Sequence, residues 1–214
     1  MSLLILSPSN AQMRLGVWDI AEQTDFFYDQ LVLSAHENAE LTALPASRHL
    51  EWLATRYILA VVEGNTPRIF TRKSPTGKPF FDSDSRYISL SHSYKRAAAI
   101  ICDKPCGIDI QKKVSKITRI GAKFLSPEEM DSLPQQPDMA ITYLHAIWGA
   151  KEAMYKAYGA KELDFRQHIR ILPFETQNDT FLMEGEITKH ASKSKYTLFC
   201  SQIDEYILVY GWET

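Results

Sequence analysis

Three side chains in the second half of this chain have the types and spacing to handle a phosphorylated substrate: Asp109, Glu152 and Lys156. Asp109 lies in Gly107-Ile108-Asp109-Ile110. That pattern predicts a short strand with Ile108 and Ile110 on the buried face and the carboxylate on the other. Glu152 and Lys156 lie in Trp148-Gly149-Ala150-Lys151-Glu152-Ala153-Met154-Tyr155-Lys156-Ala157-Tyr158-Gly159. This stretch reads as the end of an amphipathic helix, with Leu144, Ile147, Trp148, Met154 and Tyr158 on its apolar side and Gly159 as its stop. Glu152 and Lys156 are four apart and so stand one turn from each other on one face. Two carboxylates and an ammonium suit a Mg²⁺ site acting on phosphate, because Mg²⁺ takes a couple of protein carboxylates and fills its octahedron with water and phosphate oxygens. Taken singly, the helix pair also reads as a solvated ion pair worth about 0.3–0.5 kcal/mol. An Asp between two Ile is less ordinary, since Asp is depleted in strands.

Taken together, Gly-Ile-Asp-Ile followed about forty residues later by Trp-x-x-Lys-Glu-Ala-x-x-Lys resembles the signature of the 4′-phosphopantetheinyl transferases. The length resembles the larger, two-lobed, surfactin-synthetase-activating type. Gly77-Lys78-Pro79 and Ser89-Leu90-Ser91-His92-Ser93 resemble earlier family motifs. Arg48 and Arg56 before them, and Phe124 with Glu128 and Glu129 after them, fall in family order. The matches run from about residue 48 to 163.

The resemblance implies two similar α/β lobes related by a pseudo-twofold axis, with the active site in the cleft between them. It implies transfer of the 4′-phosphopantetheine arm of coenzyme A to a serine of an apo carrier protein, with release of 3′,5′-ADP. Mg²⁺ is the implied cofactor, with Mn²⁺ as an alternative, and an acidic acyl or peptidyl carrier protein is the implied partner of a monomer. Asp109 and Glu152 match the metal ligands, and Lys156 matches the lysine that contacts the phosphates. Either Glu152 or a water would take the serine proton. Lys78, Ser91, His92, Arg48, Arg56 and Lys73 are candidates to bind coenzyme A. For His92 the ordinary alternative is a half-buried strand-end histidine, and for the arginines a solvated helix face.

Two positions depart from the family pattern. Gln111 stands where Glu is common; it shares a strand face with Asp109 and is read as a neutral metal ligand through its carbonyl. Gly149 stands where Ser or Thr is usual. Gly costs about 1 kcal/mol in a helix interior, which points to a close backbone approach.

Residues 110–127 contain no acid but include Lys112, Lys113, Lys116, Arg119 and Lys123. If helical, 112, 116, 119 and 123 form one stripe and Ile117, Ile120 and Phe124 another. Lys112, Lys116, Arg119 and Lys123 are therefore candidates to seat an acidic carrier, against the plainer reading of a solvated basic face.

Composition agrees with a globular enzyme. The 214 residues are 45% hydrophobic and 23% charged, enough for one large or two small domains. A net charge of −2 and a pI near 6.3 argue against a general nucleic-acid binder. No apolar run nears the roughly 20 residues of a membrane span, and the N-terminal residues lack the basic n-region and cleavage site expected of a signal peptide. Cys102, Cys106 and Cys200 lack Cys-x-x-Cys spacing, so reduced thiols in the cytoplasm are expected, without zinc.

Alternating residues predict strands near 13–19, 87–92, 97–103, 107–111, 181–187 and 195–211. Helical spacing predicts helices near 25–33, 47–62, 113–124, 126–132 and 138–158. Strands mixed with helices, without regular βαβ alternation, indicate an α+β fold. The boundary is placed at Lys104-Pro105, giving an N-terminal lobe 1–104 and a C-terminal lobe 105–214 with the metal-binding motifs. Two other functions share the pattern: a non-catalytic carrier-binding module, and a Mg²⁺-dependent nucleotide phosphohydrolase.

Overall fold

The computed structural model describes residues 3–6, 13–64, 66–160, 162–176 and 180–214. The chain divides into two compact units, 1–104 and 105–214. In the first, the strands are β1 (Leu3–Leu6), β2 (Met13–Asp19), β3 (Thr71–Lys73), β4 (Pro79–Phe81), β5 (Tyr87–Ser93) and β6 (Arg96–Cys102). They form one antiparallel sheet in the order β1-β2-β6-β5-β4-β3. Its helices are α1 (Thr24–Gln30), α2 (Ala35–Thr42) and α3 (His49–Glu63), the last preceded by a 3₁₀ turn at Ala46–Arg48.

Helix α3 carries the core. Leu53, Ile58 and Val62 meet Trp18, Ile88 and Ile101 of the sheet, along with Phe27 of α1. A Cβ on Gly16 of β2 would lie 2.5 Å from Val62 Cγ2 and 2.8 Å from Ile58 Cδ1, so glycine lets helix and sheet approach. Gly64 ends the helix in the left-handed conformation, φ +72°, which costs glycine nothing.

The second unit contains β7 (Cys106–Lys112), α4 (Pro127–Asp131), α5 (Pro137–Tyr158), β8 (Ile169–Ile171), β9 (Thr180–Lys189), β10 (Ser192–Ile203) and β11 (Tyr206–Glu213). The strands form an antiparallel sheet in the order β7-β11-β10-β9-β8. The 22-residue α5 lies across it and buries Ile147, Ala150, Ala153, Met154 and Ala157 against Leu198, Cys200, Ile207 and Val209. Among the described residues no helix is long and apolar enough to cross a membrane.

A mixed fold with two sheets agrees with the α+β expectation, but several local expectations change. The single strand expected over 195–211 is the β10–β11 hairpin, turned at Asp204–Glu205 with Asp204 at φ +52°. Asp tolerates that conformation better than most residues. The helix expected over 25–33 ends at Gln30, and α2 follows it unforeseen. The helix expected over 113–124 is two 3₁₀ turns, Ser115–Arg119 and Gly121–Lys123. Val114, Ile117, Thr118 and Ile120 are β-branched and Gly121 interrupts the run, so helix propensity is poor there.

One device recurs in both units. Ser34 opens α2 with a capping box closed by Glu37, and Ser126 opens α4 with one closed by Glu129. Both glutamates are buried. Each also accepts a strand N–H, from Thr71 at 3.1 Å and from Ile171 at 2.9 Å. Each holds a cation: Arg68 reaches Glu37 at 2.6 Å, and Lys151 reaches Glu129 at 2.7 Å. One carboxylate thus ties a helix start, a strand and a distant base together.

Burial alone would raise the Glu37 carboxyl, but hydrogen bonds from Ser34 and Thr71 and the Arg68 charge outweigh it and hold it below 4.5. Because the folded value is depressed, Glu37 contributes stability above about pH 4.5 and loses it as pH falls through that lowered value. Urea unfolding at neutral pH should show Glu37→Ala less stable by about 3–5 kcal/mol, the cost of stripping one partner from a buried pair. The gap to the native protein should narrow only on the acid side of that value.

Candidate functional site

Strand β7 and helix α5 position the predicted chemistry. A Cβ on Gly107 would overlap the Ala153 carbonyl, so β7 runs directly against the helix. The alternation along the strand then places Asp109 and Gln111 on the same helix-facing side. Ile108 and Ile110 lie on the opposite face, but Asp109 is buried too, at 8% exposure. The expectation of one buried and one open face is thus corrected: both faces are covered, and the carboxylate's face is the one beneath α5.

Lys156 Nζ lies 3.0 Å from Asp109 Oδ1 and donates to the Ile108 carbonyl at 2.7 Å. Burial, followed by the Asp109 charge, pushes the half-buried Glu152 carboxyl above its ordinary value, while Lys156 opposes them. Asp109, Glu152 and Lys156 are therefore brought together. The strain of two neighbouring carboxylates is what a divalent cation would relieve, and all-oxygen donors suit a hard one. Among the described residues no third His, Cys, Asp or Glu converges there, so the set fits an ion that keeps most of its coordination for water and phosphate.

Gln111 stands beside them in a defined orientation. Its Nε2 lies 3.1 Å from Asp109 Oδ2 and 3.1 Å from the His145 carbonyl oxygen, and its Oε1 lies 2.6 Å from His145 Nδ1. The carbonyl that the sequence reading assigned to the metal is turned to histidine. His145 escaped notice in the sequence, although His145, Gly149, Glu152 and Lys156 recur at helical spacing on one face of α5. Burial, the largest influence, holds its imidazole below the ordinary value, favouring the neutral ring.

Lys151, adjacent to Glu152, serves the frame instead. It is fully buried, donates to the Phe124 and Phe165 carbonyls at 2.7 and 2.8 Å, and pairs with Glu129. Phe124 itself packs edge-on against Trp148.

Within the first unit, Arg48, Arg56, Lys73 and His92 line one pocket of about 230 Å³, together with Leu44, Trp52, Thr55, Pro79 and Leu90. Arg56 is not on a solvated face. It is buried, stacks on the Trp52 ring at 4.2 Å and leaves its Nε without a hydrogen-bond partner among the described residues. Two acids absent from the sequence reading brace these cations. Glu40 receives Arg56 at 3.1 Å, Lys73 at 2.5 Å and Trp52 Nε1 at 2.7 Å; Glu51 meets Arg48 and His92, each at 3.3 Å. The spacing of Glu40 from Arg56 and Lys73 carries no periodic signal, because the three sit on different elements. Ser91 and Lys78 are not among the lining residues. Ser91 is buried and leaves β5 on the face opposite its neighbour His92, and Lys78 sits 5.6 Å from the Tyr87 ring.

The predicted basic stripe is not one helix face. Lys112 ends β7 and pairs with Glu205 at 3.1 Å. Lys116 and Arg119 lie in one 3₁₀ turn and Lys123 in the next. At three residues per turn Lys116 and Arg119 still share a side. They and Lys123 are exposed, while Ile117 and Phe124 turn inward.

The 4′-phosphopantetheinyl transferase superfamily matches residues 105–210, the span that holds Asp109, Glu152 and Lys156. Two curated relatives agree. A 4′-phosphopantetheinyl transferase of Bacillus subtilis is 32% identical over 85 residues, 39% of this chain and 38% of that protein. The 4′-phosphopantetheinyl transferase gsp of Aneurinibacillus migulanus is 29% identical over 110 residues, 51% of this chain and 46% of that protein. The matched region thus spans less than half the length of either relative. The similarity to the 4′-phosphopantetheinyl transferase superfamily thus falls in the C-terminal half of the chain.

Replacing Gly107 tests the close approach that sets this site. Gly107→Ala must push β7 off α5, and a loss of at least about 4 kcal/mol is expected for overpacking against backbone. Thermal melting of the variant should show a greatly lowered Tm or no cooperative transition.

Proposed function

We propose that the protein transfers the 4′-phosphopantetheine arm of coenzyme A to a serine of an apo carrier protein and releases 3′,5′-ADP. The observation that carries this reading is the convergence of Asp109, Glu152 and Lys156 inside the superfamily-matched segment. Asp109 and Glu152 would hold Mg²⁺, with Mn²⁺ as an alternative. When bound, the cation supplies charge neutralisation on the pyrophosphate and a fixed orientation for it.

The remaining work falls to the chain's own groups. The carrier serine oxygen bonds to the phosphorus nearest the pantetheine arm, and the bond from that phosphorus to the ADP oxygen breaks. Lys156, held by the Ile108 carbonyl and Asp109, is placed to offset charge gathering on the leaving oxygen. Glu152, or a water beside it, takes the serine proton; a carboxyl raised by burial and by Asp109 is a better base than an ordinary one.

Arg48, Arg56, Lys73 and His92 are proposed to receive the phosphates of coenzyme A, and Trp52 offers an apolar wall beside them. The unpartnered Nε of buried Arg56 supports an anionic occupant. Lys78 and Ser91 stay in the proposed coenzyme A set on the strength of their motifs. Lys112, Lys116, Arg119 and Lys123 are the proposed carrier-facing cations, and Lys116 and Arg119 have the best-supported geometry because they are exposed on one side of a turn. Three free, buried cysteines and the absence of a membrane-crossing helix among the described residues support a cytoplasmic setting.

Intact-mass spectrometry of an apo carrier protein incubated with this protein, coenzyme A and Mg²⁺ should show the gain of one phosphopantetheine arm. The gain should vanish with chelator and in Asp109→Ala. Hydrolysed coenzyme A with an unmodified carrier would point instead to a phosphohydrolase. A second assay separates the two substrates. Reversing charge at Lys116 and Arg119 should raise the apparent KM for an acidic carrier roughly tenfold, by loss of steering and seating, and leave the KM for coenzyme A nearly unchanged. An equal rise for both would sink the carrier-docking role.

A further inference from the structure

The two positions where this chain departs from its family pattern, Gln111 and Gly149, touch each other. A Cβ on residue 149 would lie 2.9 Å from Gln111 Nε2 and 2.8 Å from Val209 Cγ2. The side chain missing at 149 is the space that the Gln111 amide occupies.

The orientation of that amide follows from its neighbours. One of its two terminal atoms faces Asp109 Oδ2 and the His145 carbonyl oxygen, each at 3.1 Å. Both are acceptors, so this atom must be the NH₂ group; a carbonyl there would meet two oxygens. The other terminal atom lies 2.6 Å from His145 Nδ1. At the far side of the ring, the Val114 backbone N–H donates to Nε2 at 3.0 Å. The Val114 carbonyl oxygen, which accepts from the Ile117 N–H, also lies 3.1 Å from Nε2. Because the amide carbonyl faces Nδ1, Nδ1 carries the proton and donates it to Gln111, and in the neutral ring Nε2 is left to accept from the Val114 N–H. Every polar atom of the amide and of the ring is matched in this arrangement and in no flipped one.

We propose that Gln111 is a positioning residue and not a metal ligand: its NH₂ group, locked by His145 and housed in the space left by Gly149, holds the Asp109 carboxylate in place. The protein then offers the cation two carboxylates, Asp109 and Glu152. This inference rests on the site reading above and replaces the ligand role read for Gln111 from the sequence.

The test reads Mn²⁺ binding to the full chain without coenzyme A or carrier, by the electron paramagnetic resonance of free Mn²⁺, with Tm recorded for each variant. Two amide replacements divide the roles of His145. His145→Asn places an N–H near the Nδ1 position and can still donate to Gln111, but loses the link to Val114. His145→Gln places a carbonyl near the Nε2 position and keeps Val114, but releases Gln111. The clamp predicts that His145→Gln weakens Mn²⁺ binding about tenfold, at the lower end for an outer partner of a metal ligand, and that His145→Asn stays within roughly twofold of the native affinity. A merely structural histidine would make the two variants lose affinity together. A ligand role for the Gln111 carbonyl would leave His145→Gln unchanged or tighter, because the carbonyl is set free. Either result overturns the proposal.

Gly149→Ala provides an independent route should His145→Gln fail to fold, because it displaces the amide without touching the ring. It should weaken Mn²⁺ binding comparably, and native affinity in that variant would also overturn the clamp. Metal binding as expected, but no transfer in the mass assay, would remove the proposed activity and leave this inference standing.

Discussion

The approach of β7 to α5 at Gly107 is the constraint on which the site depends. Only hydrogen at that position lets the strand lie against the Ala153 carbonyl. From that contact the pleat and the helical turn carry the geometry outward. Asp109 is two residues along the strand, Glu152 and Lys156 flank Ala153 on the helix, and Lys156 reaches both Asp109 and the Ile108 carbonyl. A strand displaced by one methyl would separate groups whose value lies in being about 3 Å apart. The frame that resists displacement is made of buried charge: Lys151, one residue before Glu152, is anchored to Glu129 and two backbone carbonyls.

Burial of like and unlike charges gives the two polar centres their characters. Around Asp109 and Glu152, negative charge gathers in a largely buried place with Lys156 beside it. In the first unit the excess runs the other way, with Arg48, Arg56, Lys73 and His92 drawn onto one pocket and braced by Glu40 and Glu51. One centre is suited to a hard cation and the other to an anionic ligand. The net charge of the whole chain, −2, conceals both.

Both units also solve the same structural problem in the same way. Leu33-Ser34-Ala35-His36-Glu37 and Leu125-Ser126-Pro127-Glu128-Glu129 each place a capping-box glutamate where it closes a helix, receives a strand N–H and neutralises a distant base. The Leu-Ser-x-x-Glu pattern went unread in the sequence, and helix α2, which it opens, was not foreseen. Its burial leaves no local signal either, because the bases that justify burying it are Arg68 and Lys151, 31 and 22 residues further along.

The sequence by itself determined the elements whose periodicity is strong, and the residues whose rarity in their context marks them. α3, α5, β2, β5, β6 and β7 follow from apolar spacing. Asp109 stands out in a strand, and Glu152 and Lys156 fall on one helical face. It misjudged the 113–124 segment, where the spacing is helical but β-branched residues and Gly121 leave only 3₁₀ turns. Tertiary structure alone decided that Glu40 and Glu51 brace the basic pocket, that Lys151 serves the frame, and that Gln111 turns its carbonyl to His145. The physical reason is common to all of these. Periodicity reports which face of an element a side chain occupies, whereas a hydrogen-bond partner is set by which elements meet, and at what distance, after the chain has folded.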